Sequence, residues 1–289
     1  MGEKTCRNLL HNGGRQVRIA VCDSGLGGLD IAARLWSKGG AGELFYFNVW
    51  PEVDRGFGKM EPEERVQVWE RAFDGIMAYS PDLLVIGCNT LSVVHRRSSR
   101  LGDPRCPVVD IVDAAVDVCG TFLRENPGRK LLILGTAETV NSGCYRNMLI
   151  DSGIAPERIG GLPLPGLATL IENDPFSDSV RERMKSGLAE LPSSDLSSHA
   201  LGLCCTHFGY VSELWHEIFR PAALLNPNEN ILKNVAFPRE GEGITVRFIS
   251  RIPLSESKIA AMKGLFAAAP PVAEALVHYE YVPDLYRVR

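Results

Sequence analysis

The stretch Asp82-Leu83-Leu84-Val85-Ile86-Gly87 is apolar after its first residue and rich in branched aliphatics. A run this short, with no polar alternation, reads as a strand buried on both faces, the pattern of parallel sheets covered by helices. It ends in Cys88-Asn89-Thr90, and residues 91–100 follow with a helical pattern. A cysteine there sits at the carboxyl end of a strand and the start of a helix. Open α/β sheets place their ligands at that point, and the helix dipole and free N–H groups favour a thiolate. The chain holds a second copy: Leu201-Gly202-Leu203-Cys204 ends another strand-like run, and Cys205-Thr206-His207 precedes another helical pattern. Two thiols, each closely followed by threonine at a strand-to-helix turn, are expected to face one pocket.

The same alternation runs through the chain. Residues 17–22 read as a strand, Asp23-Ser24-Gly25-Leu26-Gly27-Gly28 as a glycine-rich turn and 29–37 as a helix. Such a turn lets backbone N–H groups approach an anion, but glycines at 25, 27 and 28 do not make the G-x-G-x-x-G spacing of a dinucleotide loop. A carboxylate at Asp23 would repel a pyrophosphate; it suits a base or the holder of a substrate ammonium, with a structural cap as the alternative. Further strands are read at 43–49, 107–111, 130–134, 159–163, 222–225 and 244–249. Helices are read at 61–79, 112–125, 140–152, 167–173, 177–190, 210–219, after Pro227, and at 255–266. Residues 50–60 form a loop long enough to line a site, and 275–281 is the last element. Alternating strands and helices predict an α/β fold with parallel sheets. After Asn126-Pro127-Gly128 the pattern restarts: a strand, the turn Gly135-Thr136-Ala137-Glu138-Thr139, a helix, and later a strand ending in Cys-Thr. This weak internal repeat suggests two similar domains with the site between them.

Composition narrows function more than fold. A chain of 289 residues, 45% hydrophobic, suffices for one large or two medium domains. A net charge of −4 without a basic block argues against nucleic acid as a partner. No apolar run approaches the ~20 residues of a membrane span. Residues 1–16 lack the apolar region of a secretory signal and read as a flexible extension. Eight cysteines, at 6, 22, 88, 106, 119, 144, 204 and 205, form no C-x-x-C pair. They read as free thiols in a reducing cytoplasm, with a vicinal Cys204–Cys205 disulfide as the alternative. Cys22, Cys106, Cys119 and Cys144 read as packing residues, and Cys204 as pointing to the other face of its strand. Cys205 and His207 would make half a zinc site, but no second ligand pair has suitable spacing.

Asp23-Ser24-Gly25-Leu26-Gly27-Gly28, Cys88-Asn89-Thr90, Gly135-Thr136-x-x-Thr139-Val140 and Cys205-Thr206-His207 together resemble glutamate racemase. They occur in that family's order and at roughly its spacing, from about residue 17 to the end. The broader aspartate/glutamate/hydantoin racemase superfamily shares the two-cysteine plan. The resemblance implies two Rossmann-like (flavodoxin-like) α/β domains with parallel sheets, related by a pseudo-twofold axis, with the active site between them. Residues 17–112 plus 225–289 would form the first domain and 113–224 the second. It further implies a cytoplasmic, cofactor-independent and metal-free isomerase acting on an acidic amino acid and supplying D-glutamate for peptidoglycan. No nucleic-acid or membrane partner is implied, and a homodimer is left open.

By the same resemblance Cys88 works on the D enantiomer and Cys205 on the L enantiomer, assisted by Asp23 and His207 respectively. Ser24, Asn89, Thr90, Thr136, Thr139 and Thr206 would hold the substrate's amino and carboxylate groups. Gly56-Phe57-Gly58 stands where the family usually has Pro-Tyr-Gly, so a phenol hydroxyl is missing from the side-chain wall. Leu91 replaces a small residue and Cys204 a glycine. These departures keep aspartate or hydantoin racemisation as an alternative.

The chemistry accounts for the residue types. Racemisation removes a proton from one face of Cα and returns one to the other, which two facing bases do without swinging the substrate. A free thiol near its reference pKa of ~8.5 is mostly protonated at neutral pH, and an adjacent Asp or His can take up its proton. With no cofactor to accept the electrons, fixed donors around the substrate carboxylate must stabilise the carbanion. Two other classes remain: a cysteine-dependent hydrolase using Cys205 and His207, which leaves Cys88 without a role, and a binding domain that kept the fold, which does not explain both cysteines.

Overall fold

The computed structural model describes residues 16–189, 196–233, 235–238 and 243–286. The extension expected over 1–16 therefore lies outside the described residues apart from Gln16, as does Cys6.

Two sheets, every pairing parallel, organise the chain. The first contains β1 (Arg18–Asp23), β2 (Gly42–Asn48), β3 (Leu83–Ile86), β4 (Val108–Asp110), β9 (Ile244–Ser250) and β10 (Glu280–Tyr281), in the order β10-β9-β2-β1-β3-β4. The second contains β5 (Lys130–Gly135), β6 (Ile159–Pro163), β7 (His199–Cys204) and β8 (Ala223–Leu225), in the order β6-β5-β7-β8. The orders β2-β1-β3-β4 and β6-β5-β7-β8 are the same path traced twice, which is the repeat read in the sequence. In each sheet the chain leaves the central strand, visits one side and returns to the other. That reversal opens a crevice at the carboxyl ends of β1 and β3, and again at those of β5 and β7.

Helices cover both faces of each sheet, which is why the strands read as continuous apolar runs. On the first sheet α1 (Leu29–Ser37), α10 (Glu256–Lys263) and α11 (Pro270–Val277) pack with Ile19, Val21, Leu44 and Val85 on one face. On the other face α2 (Pro62–Met77) and α3 (Asn89–His95) pack with Ala20, Phe45, Leu84 and Ile86. On the second sheet α4 (Ile111–Glu125) and α6 (Cys144–Asp151) cover Leu131 and Ile133. Helices α7 (Leu167–Asn173), α8 (Asp178–Leu188) and α9 (Ser212–Phe219) cover Leu132 and Leu203 opposite them. The stripe expected on α2 is mostly core: Trp69, Phe73 and Ile76 are fully buried, each worth roughly 1.5–3 kcal/mol. Pro62 stands at its first turn, with Glu63 and Glu64 near the positive end of the dipole.

Several boundaries differ from the sequence reading. The helix expected at 140–152 is two, α5 (Ala137–Asn141) and α6, because Gly143 adopts φ +70° and breaks the ladder between them. The helix expected at 91–100 ends at His95. That expected at 210–219 is a 3₁₀ segment, Thr206–Val211, followed by α9. Only a single 3₁₀ turn, Pro227–Glu229, stands where a helix was expected after Pro227. Residues 275–281 are the end of α11, a break and then β10. All seven described cysteines are free thiols, so the vicinal disulfide is absent. Cys204 packs with Cys119 and Leu131 while Cys205 packs with Leu203 and Phe208, on opposite sides of the second sheet. No helix among the described residues is long and apolar enough to cross a membrane.

Candidate active site

Both crevices are lined by residues picked out from the sequence. At the end of β1, Asp23 is completely buried, and its Oδ1 accepts the backbone N–H of Gly25 at 3.0 Å. Beside it Cys88 is the N-cap of α3, accepting the N–H of Leu91 at 3.5 Å, with the Ser24 hydroxyl 3.2 Å from its sulfur. Burial and the neighbouring Asp23 charge push the Cys88 thiol well up, against the opposing Ser24 and Leu91 contacts. Burial also pushes the Asp23 carboxyl above the usual range, although His207 and Thr206 pull the other way.

At the end of β7, Cys205 lies 3.8 Å from Nδ1 of His207. The far side of that ring, Nε2, meets Glu172 Oε1 at 2.7 Å. Glu172 sits on α7 and is the residue that the sequence reading missed. Its Oε1 also accepts the N–H of Leu26 at 2.8 Å, and its Oε2 accepts Lys258 Nζ from α10 at 2.7 Å. Burial would raise this carboxyl, but His207 and Lys258 hold it down at about 2. Burial would likewise lower His207, yet Cys205 and Glu172 outweigh it and raise the imidazole well above its ordinary value. A Glu in the last turn of a helix, followed by Asn173 and Asp174, carries no motif, and only the fold brings it to His207.

The two crevices meet. Thr206 Oγ1 donates to Asp23 Oδ2 at 2.9 Å, joining the Cys205 turn to the turn after β1. Asn228 Nδ2 donates to Thr206 O at 3.1 Å and Asp30 Oδ2 at 3.0 Å. Thr90 Oγ1 lies 2.9 Å from Thr136 Oγ1 and 3.5 Å from Thr139 Oγ1, and the Thr136 hydroxyl donates to that of Thr139 at 3.0 Å. Asn89 Oδ1 accepts the Tyr145 hydroxyl at 2.6 Å, while its Nδ2 is buried with no hydrogen-bond partner, a donor left over for a ligand. The glycines at 25 and 27 explain the close approach. A Cβ at Gly27 would lie 2.6 Å from His207 Nδ1, and one at Gly25 would collide with Glu172.

Not every candidate joins this cluster through polar contacts. Phe57 is buried in the apolar cluster that also contains Cys88 and Leu91. Gly56 packs against the Trp50 indole, and Gly58 faces open space. His95 is a buried packing residue, accepting from Trp69 Nε1 at 3.3 Å, and burial lowers it to about 4. Among the described residues, no group of three or more His, Cys, Asp or Glu side chains is placed to hold a metal ion.

Taken alone, Cys205, His207 and Glu172 have the arrangement of nucleophile, base and orienting carboxylate. Cys88 beside the buried Asp23 carboxylate, and the hydroxyl and amide donors on the neighbouring turns, suit proton transfer at an acidic carbon instead. Comparison with known proteins bears on that choice. A family model described as Asp/Glu/hydantoin racemase matches residues 64–221. The chain is 27% identical over 226 residues to the glutamate racemase of Campylobacter concisus, covering 76% of this chain and 81% of that protein. It is 25% identical over 258 residues to the glutamate racemase of Nitratiruptor sp., covering 85% and 95%. In fold it is similar to the crystal structure of Francisella tularensis glutamate racemase in complex with D-glutamate, with a TM-score of 0.74 at 20% identity over 92% of this chain and 97% of that one. The Campylobacter jejuni glutamate racemase structure gives a TM-score of 0.71 at 22% identity, covering 86% and 98%.

Proposed function

The chain belongs to the Asp/Glu/hydantoin racemase family, and from that premise we propose that it interconverts L- and D-glutamate by passing a Cα proton between Cys88 and Cys205. One sulfur, as thiolate, takes the proton from its face of Cα; the electron pair is held as a carbanion delocalised into the substrate carboxylate; the other sulfur, as thiol, donates its proton to the opposite face. No electrons leave the substrate, so the step balances without a cofactor. Asp23 takes up the Cys88 proton when Cys88 is the base and His207 that of Cys205 in the other direction, so that one sulfur is thiolate while the other stays thiol. Ser24, Asn89, Thr90, Thr136, Thr139 and Thr206 hold the amino and carboxylate groups, the free Nδ2 of Asn89 being one donor. D-Glutamate made this way would serve peptidoglycan synthesis.

The observation that carries this reading is the doubled strand-end cysteine, one per sheet at equivalent topological positions, with Thr206 from the Cys205 turn bonded to Asp23 beside Cys88. Glutamate as substrate rests on the named relatives. Aspartate or a hydantoin is the second reading, favoured by Phe57, which lacks the phenol hydroxyl that its position has in glutamate racemases. The test is chiral chromatography of the purified protein with L and D forms of a panel of amino acids that includes glutamate and aspartate. Racemisation of glutamate above all others is expected, and of Cys88→Ser and Cys205→Ser neither should racemise it, because a serine hydroxyl is too weak an acid to form the needed anion. A preference for aspartate would move the assignment within the family, and a fully active serine variant would remove the two-thiol step.

A further inference from the structure

Tyr210 follows the Cys205-Thr206-His207 turn by three residues and belongs to none of the motifs. Its one hydroxyl proton is shared between the carbonyl oxygens of Leu26 at 2.8 Å and Gly27 at 2.9 Å, and its oxygen accepts the backbone N–H of Asp30 at 3.2 Å. All three partners lie at least 180 residues away, in the Asp23 turn and the first turn of α1. Its ring packs edge-on against His207, centroids 6.2 Å apart, and against Phe266 at 5.9 Å. One side chain therefore joins the His207 turn, the Asp23 turn and the C-terminal part of the chain. Burial, with the Asp30 and Asp23 charges, pushes its phenol well up, so it remains a hydroxyl and a donor.

Peptide geometry converts this contact into orientation. A trans peptide directs its C=O and N–H to opposite sides. Tyr46, from β2, donates to Gly25 O at 2.7 Å, and the N–H of the same peptide, Leu26 N, points the other way onto Glu172. Tyr210 does the same for the next two peptides, turning the N–H groups of Gly27 and Gly28 away from itself. One phenol from the first sheet and one from the turn after β7 thus hold three successive carbonyls of the turn that carries Asp23.

We propose that Tyr210 is a positioning residue: by holding the Leu26 and Gly27 carbonyls it fixes the Asp23 turn against Cys205 and His207, and so governs the rate of proton transfer rather than substrate affinity. This rests on the racemase reading above. A misplacement of ~1 Å in such a site can lower the rate about 100-fold.

Tyr210→Phe removes one oxygen and keeps the ring contacts with His207 and Phe266. The experiment measures racemisation kinetics and amide hydrogen exchange over residues 25–30 in the full-length wild type and variant. Expected are a kcat lowered about tenfold or more, a KM within about threefold of wild type, and an Asp30 amide that exchanges about tenfold faster. An unchanged kcat overturns the proposal, whatever the exchange does, and so does a raised KM with kcat intact. Should the wild type racemise no amino acid, the racemase reading fails, and exchange alone decides the clamp: acceleration supports it and equal exchange overturns it.

Discussion

Glu172 shows what a single carboxylate does in this fold. It is buried, yet it takes charge-assisted contacts from His207 and Lys258 and a third hydrogen bond from Leu26 N–H. Removing one member of a buried ionic cluster leaves the rest uncompensated, at a loss of ~3–5 kcal/mol. Glu172→Gln is therefore expected to lower the unfolding free energy by about that amount near neutral pH. The sign of the pH dependence follows from the depressed carboxyl. Its stabilisation is present above the unfolded value near ~4.3 and is lost as pH falls toward its folded value of about 2. His207, raised in the fold, contributes stability that is full below ~6.5 and lost as pH rises through its higher folded value. Urea unfolding of both proteins should thus give a gap that closes on acidification, and a gap constant down to pH ~2 would contradict the account. Phe57 is the residue proposed to act on selectivity. Phe57→Tyr restores a hydroxyl next to the cluster around Cys88, and the ratio of kcat/KM for glutamate to that for aspartate is expected to move by roughly 1–3 kcal/mol. An unchanged ratio would remove Phe57 from the side-chain pocket. Both cysteines could be found in the sequence because each ends an apolar run and opens a helix. Glu172 could not, because its partner Leu26 is 146 residues away and nothing local marks it.

At the scale of elements, the turns after β1 and β7 must come within contact of each other, and glycine is what permits it. A Cβ at Gly27 would press on Thr206 and His207, so Gly27→Ala is expected to lower kcat by far more than its loss of stability explains. Gly75 gives the control. It lies in α2, where a Cβ would collide with Leu285 O in the C-terminal segment packed on the helix, and none of its nearest atoms belongs to a cysteine turn. Gly75→Ala should lower the melting temperature while leaving kcat within about twofold at a temperature where the variant is folded. Equal effects of the two substitutions on kcat would contradict this division. The strands were legible because doubly buried β-runs have a composition of their own. Helix ends were less so. Gly143 breaks one expected helix into two, and residues 206–211 tighten into a 3₁₀ turn that no residue pattern announces.

For the whole molecule, the two sheets repeat one strand order, and β9 and β10 extend the first from the far end of the chain. Ion pairs also link the halves: Glu138, on α5, meets the buried Arg65 from α2 and Arg97 just beyond α3. The repeat was visible as two Cys-Thr turns, whereas the joining contacts were not, since Arg65 and Glu138 lie 73 residues apart and carry no motif. On the proposed reading, the doubled architecture offers a base for each face of one carbon. That reading is tested most directly by starting the wild-type protein with L-glutamate in deuterated water, stopping after a few per cent conversion, and measuring the Cα isotope in both enantiomers by mass spectrometry. Two thiols acting from opposite faces should give D-glutamate that carries solvent deuterium, with the recovered L-glutamate still protiated. D-Glutamate that retains the substrate's own proton would mean that one base serves both faces, and would contradict the account.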